Sequence, residues 1–158
     1  MSAPKLPEGT KLLAENRRAL HKYTIEDRVE VGMVLLGSEV KSIRAGRFEL
    51  VDAYAIVQDG NLVLLNSYVA PWPYANVEKH EERRTRRLLA HRMEIDKLNT
   101  KVTRQGYTVI PLLAYLKGGR IKLEVGLAKG KDVGDRRQEI KKRDSDREAR
   151  AELKRRRG

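Results

Sequence analysis

Tyr23, Ile25, Val29, Val31, Met33 and Leu35 alternate with mostly polar residues, the two-residue period of a strand with one buried face. Asp27 interrupts that face, as a β-bulge would. Ser38 stands where it would cap a short helix running through Arg44, with Val40 and Ile43 on one side and Gly46 as the stop. Residues 53–57 and 62–69 flank Asp59-Gly60 and give the clearest hairpin signal in the chain. Pro71 and Pro73 break the pattern around Trp72, and residues 76–84 read as a polar, charged loop. From about Thr85 the period lengthens. Leu88, His91, Ile95, Leu98 and Val102 recur at three- and four-residue steps, predicting a helix that Gly106 ends. Residues 107–116 are apolar and strand-like, although Pro111 confines them to an edge or a bulge. Gly118-Gly119 then turns the chain into Ile121, Leu123, Val125 and Leu127, a strict alternation.

Mostly antiparallel hairpins around one inserted helix predict a mainly β fold: a small OB-type β-barrel with short helices. Residues 1–15 read as a flexible N-terminus, 16–128 as the barrel and 129–158 as a basic C-terminal tail. That tail carries 13 Lys/Arg against seven Asp/Glu and only five apolar side chains, Val133, Ile140, Ala149, Ala151 and Leu153. So little apolar surface cannot offset the entropy of ordering the segment, which predicts disorder in isolation. Four acid-to-arginine pairs at four-residue steps (Asp132–Arg136, Glu139–Arg143, Asp146–Arg150, Glu152–Arg156) each add a few tenths of a kcal/mol to a helix. The tail is expected to become helical against a polyanion.

Composition narrows the partner. The chain has 34 Lys and Arg against 22 Asp and Glu, a formal charge of +12, which points to nucleic acid or an anionic membrane. No apolar run approaches the ~18–20 residues of a spanning helix, and residues 1–11 lack the apolar stretch of a signal peptide. Cysteine is absent, which excludes disulfides and thiol chemistry. A cytoplasmic, monomeric protein without a membrane partner is expected. With six Tyr, one Trp and one Phe, few rings remain for stacking successive bases, and a folded RNA read by shape, phosphate and 2′-OH contacts is favoured.

Candidate contacts follow from charge. Arg83, Arg84, Arg86 and Arg87 cluster at the predicted helix N-terminus, either as a solvated face or as phosphate ligands against the helix dipole. Asn16, Arg17, Arg18, His21 and Lys22 form either a frayed basic leader or part of an RNA surface, to which Lys41 and Arg44 would add from one helix face. His91, on the apolar stripe, reads as a partly buried histidine with one hydrogen bond. The three histidines lack metal-ligand spacing, and no metal or cofactor is expected. Glu30 and Glu39 are conceivable as an acid–base pair, but exposed structural glutamates are commoner. Neither a nucleophile elbow nor a phosphate-binding glycine loop is present, so an enzyme is not expected. Two rival readings are a ribosomal or assembly protein binding ribosomal RNA, and a metal-dependent RNA-processing enzyme.

Five motifs carry a resemblance to a known family. The stretch from Asn16 through Tyr23, the stretch from Gly37 through Gly46, and the segment from Arg86 through Glu94 are three of them. Gly106-Tyr107-Thr108-Val109-Ile110-Pro111-Leu112 and Gly126-Leu127-Ala128-Lys129-Gly130-Lys131 are the others. Together they resemble the small protein B (SmpB) family, bacterial partners of transfer-messenger RNA. The resemblance implies an OB-type barrel that binds the tRNA-like domain of that RNA and delivers it to stalled ribosomes for trans-translation. It implies contacts to that RNA through Asn16, Arg17, His21, Glu30, Lys41, Arg44 and Leu89, with a polar contact at His91, and Arg18, Arg86 and Arg87 join these as candidates by their charge. Glu30, unexpected on a basic surface, would need a base donor or a neighbouring arginine to orient. The tail would probe the small-subunit decoding centre and the vacant message channel through Lys129, Lys131, Asp135, Arg136, Arg137, Lys141, Lys142 and Arg143. Two departures are visible: Gly134 stands where the family commonly has an aromatic or imidazole side chain, and Asp132 where it has a lysine.

Overall fold

The computed structural model describes residue 6 and residues 8–74 and 79–130. In chain order these form β1 (Thr10–Glu15), α1 (Arg17–Lys22), β2 (Tyr23–Met33), α2 (Gly37–Arg44), β3 (Phe48–Glu49) and β4 (Tyr54–Gln58). There follow β5 (Asn61–Leu65), β6 (Tyr68–Val69), β7 (Arg86–Leu89), α3 (Arg92–Gln105), β8 (Thr108–Lys117) and β9 (Arg120–Gly130). The fold is mainly β. Seven strands run in the order β1-β8-β4-β5-β7-β2-β9, and an additional β8–β9 pairing joins the sheet into a ring. β3 and β6 pair separately, Phe48 opposite Val69.

The long strands follow the alternation in the sequence. Tyr23 pairs with Gly130 and Gly32 with Lys122 along β2 and β9, with a register shift between Ile25 and Asp27. Glu26 is therefore the extra residue of the expected bulge. Pro111 likewise adjoins a shift between itself and Leu113. It lies in an interior strand, however: β9 flanks one edge of β8, and β1 and β4 share the other. At a bulge the missing proline N–H breaks no ladder bond.

Two apolar cores result. Val31, Leu62, Leu64, Leu88, Leu123, Val125 and Leu127 point into the ring. Ile43 of α2 and Ile95 and Leu98 of α3 join them. α1 instead lies over the outside of the sheet, where Ala19 packs with Ile110, Leu112, Leu113, Tyr115 and Ala128. Gly126 is the close-packing point: a Cβ there would come within 2.8 Å of Leu112 Cδ1 and 2.9 Å of Ile25 Cγ2.

Four expectations are corrected. The helix expected from Thr85 begins at Arg92, and Arg86–Leu89 is a strand between β5 and β2. Its burial alternates, but a charged residue takes an inward position and masks the two-residue period. Ser38 is not the cap of α2; Leu36 is the N-cap, and the Glu39 carboxylate accepts its N–H at 2.8 Å. Within residues 1–15, expected to be flexible, Thr10–Glu15 pairs with β8 as a strand. Residues 62–69 are two strands, broken at Asn66, whose φ is +67°. Of the expected tail, Lys129 belongs to β9. Lys131, Asp135, Arg136, Arg137, Lys141, Lys142 and Arg143, with residues 76–78 of the expected loop, lie outside the described residues.

Candidate nucleic-acid interface

α1 is fixed by one side chain. Asn16 caps the helix by accepting the Ala19 N–H at 3.2 Å, while its Nδ2 donates to the carbonyls of Pro111 at 2.9 Å and Leu50 at 3.3 Å. Its own backbone N–H donates to Leu112 O at 2.8 Å. The side chain is buried and its amide is engaged on both sides, so Asn16 positions the helix rather than presenting itself to a partner. What α1 presents is Arg17, Arg18, His21 and Lys22, all exposed. Among the described residues Arg17 pairs only with Glu15, at 3.3 Å. A cleft of about 300 Å³ lies between α1 and the start of β4, with Arg18, Lys22, Tyr23, Asp52 and Tyr54 on its walls.

Among the described residues Glu30 is oriented by a tyrosine and a lysine, not by the arginine that the sequence offered as one alternative. The Tyr115 hydroxyl donates to Glu30 Oε2 at 2.6 Å and Lys117 Nζ lies 3.2 Å from the same oxygen. Tyr115's hydrogen bond is the main cause that holds the Glu30 carboxyl below its ordinary range, against partial desolvation and with help from Lys117. Burial, then the Glu30 carboxylate, pushes the Tyr115 phenol upward. Glu30 is thus an ionised acceptor with free capacity at neutral pH. On the adjoining strand Leu89 sits opposite Gly32, and it is half exposed. β2 side chains alternate in facing, so Glu30 and Gly32 share the outer face and Leu89 adjoins them. Arg87, on the same outward side of β7 as Leu89, is exposed, as is His91. His91 is the N-cap residue of α3 rather than a partly buried member of its stripe.

Arg86 is withdrawn from the surface. Its side chain is 0 % exposed. Nε donates to Glu39 Oε2 at 2.9 Å, Nη1 to Ser67 Oγ at 3.0 Å and to Arg84 O at 2.9 Å, and Nη2 to Glu82 O at 3.2 Å. With its donors satisfied it cannot be a phosphate ligand. Glu39 is equally buried and also receives Arg84 Nε at 2.9 Å and Nη2 at 2.7 Å. Burial would raise the Glu39 pKa; the Arg84 hydrogen bonds, the Leu36 N–H and Arg86 overcome it and hold the carboxyl at about 2. A permanently ionised, enclosed carboxylate is no proton-transfer partner for Glu30. This junction fixes α2, from which Lys41 and Arg44 project into solvent. His80 adds a second tether: Nε2 donates to Val69 O at 3.1 Å, so in the neutral ring Nδ1 accepts the Ser38 hydroxyl at 2.7 Å.

The exposed groups therefore lie on a helix laid on the outer sheet, on a second helix locked to β7, and on the outer faces of β2 and β7. The reading from sequence missed Asp52, Tyr54 and Tyr115, whose place beside the cations comes from strand pairing. It also missed the Glu39–Arg86 pair, for which no local signal exists.

A ring of antiparallel strands bearing two cationic helices defines a small, basic, mainly β protein. The chain belongs to the SmpB family: the family model described as SmpB protein matches residues 13–155. It is similar to the SsrA-binding protein of Dinoroseobacter shibae, 49% identical over 157 residues, covering 98% of each chain. The SsrA-binding protein of Pelobacter propionicus is 46% identical over 146 residues, 92% of this chain and 96% of that one. A solved structure described as "tmRNA-SmpB: a journey to the center of the bacterial ribosome" superposes with a TM-score of 0.63 at 42% identity. It covers 75% of this chain and 83% of the other.

Proposed function

We propose that this protein is a non-catalytic adaptor that binds the tRNA-like domain of transfer-messenger RNA and delivers it to stalled ribosomes for trans-translation. The observation that carries the reading is the likeness, at 42% identity, to a solved SmpB described with tmRNA at the ribosome. The SsrA-binding relatives, matched over nearly their whole length, support it. In this reading the closed ring is an OB-type barrel, and the protein acts in the cytoplasm as a monomer. Arg17, Arg18, His21, Lys41, Arg44 and Arg87 meet phosphates and sugar hydroxyls, while Glu30, Leu89 and His91 add polar and apolar contacts. Asn16 contributes by holding α1.

The tail, from Lys131 onward with Lys129 at its root, occupies the message channel where it is empty. Message and tail compete for one space, so the helical tail forms only on a vacant channel. Sequencing RNA that copurifies with the native protein tests the reading; ribosomal RNA without transfer-messenger RNA would sink it. Deleting residues 131–158 should leave transfer-messenger RNA binding nearly intact and abolish ribosome rescue. Lys41→Ala with Arg44→Ala should weaken RNA binding and flatten its salt dependence; unchanged affinity would remove α2 from the interface.

A further inference from the structure

The cleft between α1 and β4 holds groups of opposite charge that do not pair with each other. Arg18 and Lys22 on α1 make no ion pair among the described residues, and neither does the Asp52 carboxylate. Tyr23 and Tyr54 offer ring surface beside them, Tyr54 with 41 % of its area exposed. Ala19 and Ile110 line the same cleft with buried apolar surface. Asp52 is held with φ at +67°, a conformation sparse for residues other than glycine, and the Asn66 amide donates to its carbonyl at 3.1 Å. Its backbone is therefore fixed, while its exposed carboxylate accepts no donor among the described residues.

We propose that this cleft takes a guanosine nucleotide extruded from an RNA strand. The inference rests on the RNA-binding reading above and adds a base-specific site to it. A cavity of about 300 Å³ accommodates a purine. A tyrosine face stacks the base, and Arg18 and Lys22 meet its phosphates. The carboxylate selects the base. Guanine alone presents two adjacent donors, N1–H and N2–H, on its Watson–Crick edge, which match the two acceptor oxygens of Asp52. Adenine and cytosine each set a ring-nitrogen acceptor beside their amino group, and uracil flanks its one N–H with carbonyls; each would face the carboxylate with a repulsive lone pair.

The test uses the full-length protein titrated with the trinucleotides UGU and UAU, with free GMP and with intact transfer-messenger RNA. UGU should bind about tenfold or more tighter than UAU, the discrimination of one bidentate base contact. Asp52→Asn keeps the side-chain shape, and asparagine tolerates the positive φ, so the fold is retained. In that variant the UGU/UAU ratio should fall towards one. Arg18→Gln with Lys22→Gln should weaken both trinucleotides alike and flatten their salt dependence. Equal binding of UGU and UAU, or a ratio unmoved by Asp52→Asn, overturns the proposal. GMP binding as tightly as UGU overturns the assignment to an RNA strand. Transfer-messenger RNA bound without guanine preference would sink the cleft alone, whereas no binding of that RNA would sink the functional reading.

Discussion

Replacing Glu39 by glutamine tests whether a buried carboxylate holds α2 to the sheet. In the folded protein this carboxylate receives the Leu36 N–H, two donors from Arg84 and Nε of Arg86, at 2.7 to 2.9 Å, and Arg86 Nη2 lies 2.8 Å away as its ion-pair partner. Glutamine keeps the volume but turns an NH₂ group toward guanidinium donors and leaves Arg86 charged in the core. Breaking a buried pair from one side costs roughly 3–5 kcal/mol. The pH dependence gives a second measure. The folded pKa of Glu39 is about 2 against an ordinary 4.5, which corresponds to about 3 kcal/mol at 1.36 kcal/mol per unit. Because the folded value is depressed, that stabilisation is complete above pH 4.5 and drains away as pH falls toward 2.

Urea unfolding followed by circular dichroism at pH 7 and again between pH 4.5 and 2 reads both quantities. The gap between the parent and Glu39→Gln should be roughly 3–5 kcal/mol at pH 7 and close through the acid window. A gap below about 1 kcal/mol at pH 7, the scale of an exposed pair, would refute the argument. So would a gap of the same size at both ends of the pH range. Glu39→Leu combined with Arg86→Met should cost less than Glu39→Gln alone, since no fully buried charge is left unpaired and Arg84 reaches solvent.

Three further outcomes are expected. Gly126→Ala forces a Cβ to within 2.9 Å of two side chains and should destabilise by about 1–3 kcal/mol in urea unfolding; unchanged stability would mean the outer core yields freely. Tyr115→Phe removes the main cause of the lowered Glu30 pKa, so the Glu30 carboxyl resonance should titrate at higher pH, and an unmoved midpoint would show that Lys117 alone orients it. Asn16→Ala should cost about 1–2 kcal/mol through the lost cap and weaken RNA binding without changing its salt slope; full stability with weakened binding would make Asn16 a direct contact instead.

Much of the ring could be read from alternation alone. β2, β9 and the β4–β5 hairpin appear where apolar positions repeat every second residue, and Asp27 and Pro111 both mark bulges. β7 escaped because Arg86 occupies an inward position, and an arginine is admitted there only by a carboxylate 47 residues away in the chain. β1 escaped because it is short and only half-buried on one edge of β8. The site divides the same way. Exposed cations announce themselves by type, since solvation is their default and proximity needs no specific partner. Asp52 beside Lys22, or Glu30 beneath Tyr115 at a separation of 85 residues, depends on which strands pair, and no local pattern encodes that.

Charge plays two physically separate parts in this molecule. Arg86 and Glu39 neutralise one another in a dry interior, where desolvation makes either one alone costly. They can therefore be replaced only as a pair, and their work ends at fixing α2. Lys41, Arg44, Arg17 and Arg18 are exposed on their two helices, and a cation of that kind, where it meets a phosphate, acts largely by releasing counterions, an effect that falls with salt. Glu30 belongs to neither group. Its two intramolecular donors hold it ionised and in place among cations without closing off its remaining lone pairs. An acid so arranged repels phosphate and accepts only N–H or O–H donors, so it would penalise any partner that set an anion against it and favour one that offered a donor.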